Sequence, residues 1–516
     1  MNTEAPNNYW LELAADAIIE RYPEGTITVS SGISPSANYH VGHFREILTA
    51  EALAWAVRQR GRTVKHVHVV DNFDPLRKRY DFLPEWLEEF VGRPICLVPS
   101  PDKSEDISYA DHFFNEFIAR AHEMGVEEDL EVVKSYEELY KPNRMVQAIE
   151  DSLASVDEIK AIFAEVSNRK LEADWSPVQV LNAKDEFEQG EPSTWDKTAQ
   201  TINGLSYTDG RAKLNWRLDW PARWRELGVQ VEPFSYQEHG AAGSSYDTGK
   251  EFSRRVFNYP APYPGAQYGN IHLVGDTKKM SSSKGNLITP REALQIMPPE
   301  ILRYFVVRSR PEKTLYFDSG LGFYSLVNEY KEVMRAVNAG EDSDFADAYK
   351  FASDIKQGEL LSTAPFQQIV TAYQTARGDQ DRTEALLRRI GWEPVNEAEI
   401  GALRHELIYV KNWLDNYAPE DVKFEVQEAA PTDLEVGEDD RAYLTALAGA
   451  LPAEWEGEAL QSAIFQTAKD LEFPPRDAFR LLYRLFIAKD AGPKLGPFLT
   501  TLERDFVLTR LQEGVK

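Results

Sequence analysis

Along residues 9–22 apolar side chains recur at about every third or fourth position. Trp10, Leu11, Leu13, Ala14, Ile18 and Ile19 share one side, which predicts a helix. Thr26-Ile27-Thr28-Val29 then forms a short β-branched run, a strand signal. Ser30-Ser31-Gly32-Ile33-Ser34-Pro35 is rich in turn formers and predicts a loop. The helical period returns over about 43–59 through Phe44, Ile47, Leu48, Ala52 and Trp55, and Gly61 stops it. A second strand is predicted over 64–70, ended by Asp71-Asn72. Such a strand–loop–helix–strand unit is the size that opens a parallel nucleotide-binding sheet.

Residues 80–215 read as an insertion, with helices over 106–124 and 145–168 and a polar, poorly periodic stretch over 185–200. From Leu214 to Trp224 the chain is dense in Trp and Arg, which suits either a packed core or a ligand-facing wall. Glu238-His239-Gly240-Ala241-Ala242-Gly243-Ser244-Ser245-Tyr246-Asp247-Thr248-Gly249 contains small residues that let a backbone approach a ligand. A helix over 248–257, a strand over 268–274 and a helix over 301–309 follow, the last opened by Pro298-Pro299-Glu300. Beyond about Ser325 most segments are amphipathic helices joined by acidic linkers such as 435–440. No catalytic constellation occurs there, so that part reads as a binding domain.

The chain has 516 residues, enough for roughly three domains at ~150 residues each. Its one cysteine, Cys96, excludes an intramolecular disulfide framework and fits a reducing cytosol. The start, Met1-Asn2-Thr3-Glu4-Ala5-Pro6, is polar and shows no signal-peptide pattern, and no apolar run nears the ~20 residues of a membrane span. A cytoplasmic protein is expected. The net charge of −27 argues against a general nucleic-acid binder. The charge is uneven, however. Residues 58–79 hold seven Lys/Arg and two Asp, and 476–516 hold eight Lys/Arg against five acids, so local basic faces remain.

Two stretches carry the chemistry. Lys279-Met280-Ser281-Ser282-Ser283-Lys284-Gly285-Asn286 is short, polar and doubly basic, suited to wrapping a phosphate with ammonium, hydroxyl and backbone N–H groups. Far upstream, Ser34-Pro35-Ser36-Ala37-Asn38-Tyr39-His40-Val41-Gly42-His43 falls at the first strand's end and the following helix's start, where such a unit takes its ligand. His40 and His43 project to one side, and Gly42 lets a flat base pack on the backbone. The two stretches are read as holding one ATP between them. His66 and His68 alternate within a strand and read as a packed sheet face rather than a metal site. Asp71 and Asp74 are placed to meet an ammonium group, and Arg77-Lys78-Arg79 either meet a tRNA backbone or are solvated.

In this order the two stretches resemble class I aminoacyl-tRNA synthetases. His40-Val41-Gly42-His43 looks like their HIGH motif with Val for Ile. Lys279-Met280-Ser281-Ser282-Ser283 looks like KMSKS with Ser282 in place of the second lysine, and Lys284 nearby to supply that charge. Ser31–Ser36, Asp74-Pro75-Leu76-Arg77-Lys78, Trp216–Trp224, Gly243–Lys250, Ala418-Pro419-Glu420 and Ala491–Gly496 narrow the likeness to the class I form of lysyl-tRNA synthetase, across nearly the whole chain. The resemblance implies an α/β Rossmann-type nucleotide-binding catalytic domain (1–80 and 215–275), a connective insertion (81–214), a KMSKS loop with a stem-contact fold (276–325) and an all-α anticodon-binding α-helix cage (326–516). Many relatives carry a cysteine-based zinc site in the insertion, but this chain has no cysteine between Trp175 and Leu214. No structural zinc and no other protein-held metal is expected, which leaves the fold of 175–215 open.

The implied reaction is activation of lysine by ATP with Mg²⁺, then transfer to tRNA-Lys. His40, His43, Lys279 and Lys284 would be the catalytic groups. Pro35, Ser36, His40, Gly42, His43, Gly243, Asp247, Lys279, Ser281, Ser282 and Ser283 would hold ATP, with Thr248 beside them. By resemblance Gly32, Ser34, Trp220, His239 and Tyr268 line the lysine pocket. A monomer is expected. A small-substrate nucleotidyltransferase shares the HIGH-type turn but lacks a reason for the long helical part. A non-catalytic tRNA-binding or lysine-sensing paralogue has no reason to keep His40, His43 and Lys279.

Overall fold

The computed structural model describes residues 9–104, 106–126, 130–274, 287–355 and 361–516. The chain divides into two compact units. One comprises Met1–Leu294, Leu302–Phe317 and Lys350–Lys356, the other Gln295–Ile301, Asp318–Tyr349 and Gln357–Lys516.

The first unit is built on a parallel sheet of β1 (Ile27–Ile33), β2 (Val64–Val70) and β3 (Glu131–Lys134), in that order. Helix α1 (Trp10–Arg21) leads into β1, α2 (Phe44–Gln59) crosses from β1 to β2, and α3 (Tyr109–Glu123) precedes β3. Ile27 pairs with Val64 and the register runs unbroken to Ile33 opposite Val70. Single parallel bridges from Val29 to Val231 and from Val231 to Tyr263 extend the sheet beyond β1.

The loop expected at Ser30–Ile33 is therefore strand. Its turn-forming composition is overridden because both faces of a parallel sheet are covered and buried hydroxyls can be satisfied from the neighbouring strand. Ser31 Oγ bonds His66 Nε2 at 3.0 Å and His68 Nδ1 at 2.8 Å, and His66 Nδ1 meets Glu51 Oε2 at 2.7 Å. Both histidines are buried, so their alternation does mark a packed face. Burial, with the nearby His66, pushes His68 down to about 3, which keeps it neutral at physiological pH.

The helix expected over 145–168 is two helices, α4 (Val146–Ala154) and α5 (Val156–Ser167), broken at Ser155, which leaves helical geometry at φ −116° and ψ 23°. Residues 175–215 form an antiparallel sheet of β4 (Val178–Leu181), β5 (Phe187–Gln189) and β8 (Ala212–Leu214), with a small hairpin of β6 (Thr201–Ile202) and β7 (Leu205–Ser206). Val178, Val180, Leu181, Ile202, Ala212 and Leu214 are buried in one apolar cluster with Ile159, Ile162 and Phe163 of α5. Then follow α6 (Trp216–Leu227), β9 (Phe234–Ser235), α7 (Tyr236–His239) and α8 (Ser245–Arg255). The strand expected over 268–274 is two strands. β10 (Gln267–Tyr268) pairs with β9, while β11 (Ile271–Leu273) pairs with β12 (Leu315–Phe317). The switch occurs where Gly269 N–H donates to Pro311 O at 2.8 Å and Asn270 N–H to Gln237 Oε1 at 2.9 Å, taking both amides out of the ladder.

Helices α9 (Pro290–Ile296) and α10 (Pro299–Val307) follow β11 in the chain. Among the described residues the second unit is helical, as its periodicity predicts. Its elements include α11 (Leu321–Asn338), α12 (Ala346–Ser353), α13 (Phe366–Thr375), α14 (Gln380–Arg389), α15 (Glu397–Asn416), α16 (Glu438–Ala450), α17 (Gly457–Asp470), α18 (Pro475–Ile487), α19 (Leu495–Thr500) and α20 (Arg504–Glu513). Trp413 packs among Phe323, Tyr324 and Phe366. No helix among the described residues is long and apolar enough to cross a membrane.

An ion pair is buried in this helical unit. Lys331 Nζ on α11 lies 2.6 Å from Glu406 Oε1 on α15 and donates to Ala364 O at 2.7 Å. Lys331→Ala leaves the Glu406 carboxylate, 1% exposed, without its counter-ion. We expect a loss of about 3–5 kcal/mol, read as a lower urea midpoint, and recovery of most of it in Lys331→Met/Glu406→Leu, because an apolar pair of similar volume replaces a buried ion pair at little net cost.

Candidate functional site

Beyond Ile33 the chain leaves the sheet and reaches a single 3₁₀ turn, Val41–His43, before entering α2. The amide of Gly42 donates to His40 Nδ1 at 3.1 Å, and the amide of His40 donates to His43 Nδ1 at 3.0 Å. A backbone amide can only donate, so each Nδ1 is an acceptor and each ring carries its proton on Nε2. The ring centroids are 3.9 Å apart. Folding alone thus fixes two neighbouring N–H donors at the start of α2.

They face a cavity of about 450 Å³. Gly32, Ser34, Ser36, His40, Gly42 and His43 line it from the β1 side. Trp220, Phe234, His239 and Tyr268 close it from the other. All of these except Phe234 were expected in the site, and they are the expected residues that the fold brings together. Pro35 is buried in the segment between Ser34 and Ser36, outside the lining.

Gly243, Asp247 and Thr248 do not line this cavity. Asp247 Oδ2 accepts the Gly243 amide at 3.0 Å, and its Oδ1 pairs with Lys250 at 2.8 Å. Gly243 has φ +73°, and a Cβ there would sit 2.7 Å from Val166 O. These residues hold the turn that aims α8. Thr248 Oγ1 donates back to Ser244 O at 3.0 Å within that turn. Lys279, Ser281, Ser282, Ser283 and Lys284 lie outside the described residues.

Three carboxylates at the cavity were not singled out from the sequence. Glu46, in the first turn of α2, accepts the Gly32 amide on Oε1 at 3.2 Å and the Tyr268 hydroxyl on Oε2. Burial raises it to about 8 despite those hydrogen bonds, with Glu232 and Glu238 adding like-charge repulsion. Glu232 is also buried and raised by desolvation, against hydrogen bonds from the Trp220 indole at 3.1 Å and from the Trp224 indole, and it takes a third from Ser30 Oγ at 3.3 Å. Glu238 is exposed at the cavity's edge. Glu46 had one sequence signal: it lies three residues beyond His43, on the same helix face.

Asp71 and Asp74 also line the cavity, and they do meet an ammonium, but it belongs to the protein. Lys213 Nζ, reaching in from β8, lies 2.8 Å from Asp71 Oδ1 and 2.5 Å from Asp74 Oδ1. Burial alone would raise Asp71, but Lys213 and Arg223 outweigh it and bring it down to about 2. The same pairing holds Lys213 protonated in spite of its burial. These acids are neutralised, which leaves Glu46 as the buried acid at the cavity with neither a cationic partner nor a full set of donors.

Among the described residues no group of three or more His, Cys, Asp or Glu side chains is arranged to hold a metal ion. The cavity therefore offers two imidazole N–H donors at one side and a buried acid with aromatic walls at the other. That combination suits a ligand with both an anionic end and a cationic end.

The profile of the family described as "tRNA synthetases class I (K)" matches residues 8–354. The lysine–tRNA ligase of Methanosarcina barkeri is 34% identical to the chain over 537 aligned residues, covering 98% of this chain and 97% of that protein. The lysine–tRNA ligase of Archaeoglobus fulgidus is 33% identical, with 98% and 100% covered. That of Thermococcus kodakarensis is 35% identical, with 98% and 99% covered.

Proposed function

The chain belongs to the class I tRNA synthetases (K), and from that premise we propose that it is a lysine–tRNA ligase. It joins lysine to ATP as lysyl-adenylate with release of pyrophosphate, then passes the lysyl group to the 3′-terminal ribose of tRNA-Lys. One observation carries the assignment of the pocket: a buried acid, Glu46, sits against Tyr268 in the same cavity as the two Nε2–H donors of His40 and His43.

In the first step the lysine carboxylate oxygen attacks the α-phosphorus and the bond to pyrophosphate breaks. No side-chain nucleophile is required, so the protein contributes position and charge. His40 and His43 donate to phosphate oxygens whose charge grows in the transition state. Ser36 and Gly42 pack along the nucleotide, with Pro35 fixing the segment that carries Ser36. Lys279 and Lys284, with Ser281, Ser282 and Ser283, receive the leaving pyrophosphate. Mg²⁺ bound with ATP would supply further phosphate neutralisation. Gly243 and Asp247 support ATP binding through the turn they hold. In the second step a ribose hydroxyl, the 2′-OH in this class, attacks the lysyl carbonyl and AMP leaves.

The lysine side chain runs past Gly32 and Ser34, with Trp220, His239 and Tyr268 as walls and its ε-ammonium on Glu46. At domain level we assign 1–80 and 215–275 to a Rossmann-type catalytic domain, 81–214 to a connective insertion, 276–325 to the KMSKS loop and stem-contact fold, and 326–516 to an anticodon-binding α-helix cage.

ATP–pyrophosphate exchange with each of the twenty amino acids, with and without total tRNA, tests the reading. Exchange for lysine alone is the expected result, and exchange that appears only with tRNA agrees equally. Exchange for a different amino acid would refute the lysine pocket. No exchange while tRNA still binds would make the chain a non-catalytic tRNA-binding protein.

A further inference from the structure

Helix α6 carries its first tryptophan differently from the others. Trp224 is 1% exposed and packs as core, whereas Trp216 is 37% exposed at the edge of the cavity. Its ring lies 6.4 Å from that of Trp220 at an interplanar angle of 25°, so the indole continues outward as a flat step from the cavity wall. Large exposed aromatics on a stacked base of this kind are platforms for flat ligands.

One arginine adjoins the step, and a second acts on the first as a like charge. Arg217 lies 6.0 Å from the Trp216 ring, and its guanidinium donates to the Thr248 hydroxyl at 3.4 Å. Arg169, just past the end of α5, is exposed and lies 5.7 Å from the Phe163 ring. Among the described residues neither arginine forms an ion pair with a carboxylate. Asp247, next to Thr248 on α8, is committed to Lys250. In a chain with 84 Asp/Glu against 57 Lys/Arg, two neighbouring arginines left without acids are unusual. Arg169 acts on Arg217 as a like charge, adding to burial in lowering its proton affinity. An anion between them would relieve that repulsion.

We infer that Trp216, Arg217 and Arg169 form the docking step for the single-stranded 3′ end of tRNA. The terminal base stacks on the Trp216 indole and the phosphates preceding it bridge Arg217 and Arg169. This rests on the function proposed above and adds to it the surface that delivers the ribose hydroxyl to the cavity. A single strand fits better than a duplex because only an unpaired base offers a free face.

Equilibrium binding of the full chain to two tRNA-Lys forms, one intact and one lacking its last three nucleotides, tests the inference. The wild-type protein should prefer the intact form by about tenfold or more. Arg169→Ala/Arg217→Ala should remove most of that preference, and the salt dependence of log K for intact tRNA should fall in slope by about 1.4, as two released counter-ions on a single strand require. Trp216→Ala should reduce the preference and Trp216→Phe should restore it, since Phe keeps a stacking face. Retention of the full preference by the double arginine variant overturns the inference. So does a rise in the KM for ATP with tRNA affinity unmoved, which would give the arginines to the triphosphate. If wild-type protein charges no tRNA with lysine, the function itself is wrong. If it charges lysine and only the truncation experiment fails, this surface alone is wrong.

Discussion

His43→Ala lowers the rate of lysyl-adenylate formation by about 10²–10³-fold while tRNA affinity changes little. One preorganised donor aimed at developing charge is worth roughly that factor in a site where water is excluded. Here the preorganisation comes from the backbone. The His40 amide locks the His43 ring with Nδ1 as acceptor and Nε2–H outward, so no tautomer change is needed as charge builds on the phosphate. His40 is held in the same way by Gly42. The effect should fall on the chemical step, measured by single-turnover adenylate formation, more than on the KM for ATP. Because the two imidazoles act on one phosphate group, the double variant should lose much less than the product of the single losses. Adenylate formation within threefold of wild type in His43→Ala would remove the HIGH-like turn from the active site.

Glu46→Gln raises the KM for lysine by about 10²-fold, with a much smaller effect on the KM for ATP. The amide is nearly isosteric and can still accept from Gly32 or Tyr268, so the change removes charge more than shape. A charged hydrogen bond in a buried site is worth roughly 1.5–3 kcal/mol, the upper end of which gives that factor. The pH dependence is a second and sharper test. In the lysine-free protein Glu46 stands at about 8, so it is mostly protonated at neutral pH. The ε-ammonium requires the ionised form, so binding releases a proton. The KM for lysine should therefore fall as pH rises from about 6 to 8, by up to about tenfold per unit, and level off above it. In Glu46→Gln this dependence should be lost. The linkage to stability has the opposite sign. Between the ordinary carboxylate value and about 8 the folded chain holds a proton that the unfolded chain has lost, so Glu46's contribution to stability declines as pH rises through that window. An unchanged KM for lysine in Glu46→Gln would shift the ammonium to Glu232 or Glu238.

Much of the architecture was legible where local preference and tertiary demand agree. Helix α2 and strand β2 were visible because apolar residues at helical or strand period meet one core. The helices of the second unit were visible for the same reason. Strand β1 was cut short at Val29 because Ser30-Ser31-Gly32 has loop composition, yet its hydroxyls are satisfied by His66, His68 and Glu232 only once the sheet exists. The partner switch at Gly269 was likewise set by what the backbone amides found across the fold.

The site divided along similar lines. The HIGH-like turn was legible because its chemistry is contiguous in the chain. The Trp- and Arg-rich α6, read as either a packed core or a ligand-facing wall, is both: Trp216, Trp220, Arg223 and Trp224 line the cavity, and Trp224 is at the same time buried in the core. Asp71 and Asp74 looked available for a ligand ammonium, but Lys213 lies 142 positions from Asp71 and no local pattern announces that it will return there.

By itself the sequence determined the unit type, the order of the two chemical stretches and the histidine pair, because each depends on residues close together in the chain. Only the tertiary structure decided which carboxylates remain charged, which are neutralised and which stand protonated. Ionisation depends on burial and on partners brought from far away, and desolvation is a property of the assembled core. Glu46 on an amphipathic helix reads as one more solvated acid, and it becomes the candidate ligand for an ammonium group only when Tyr268, 222 positions later, closes over it.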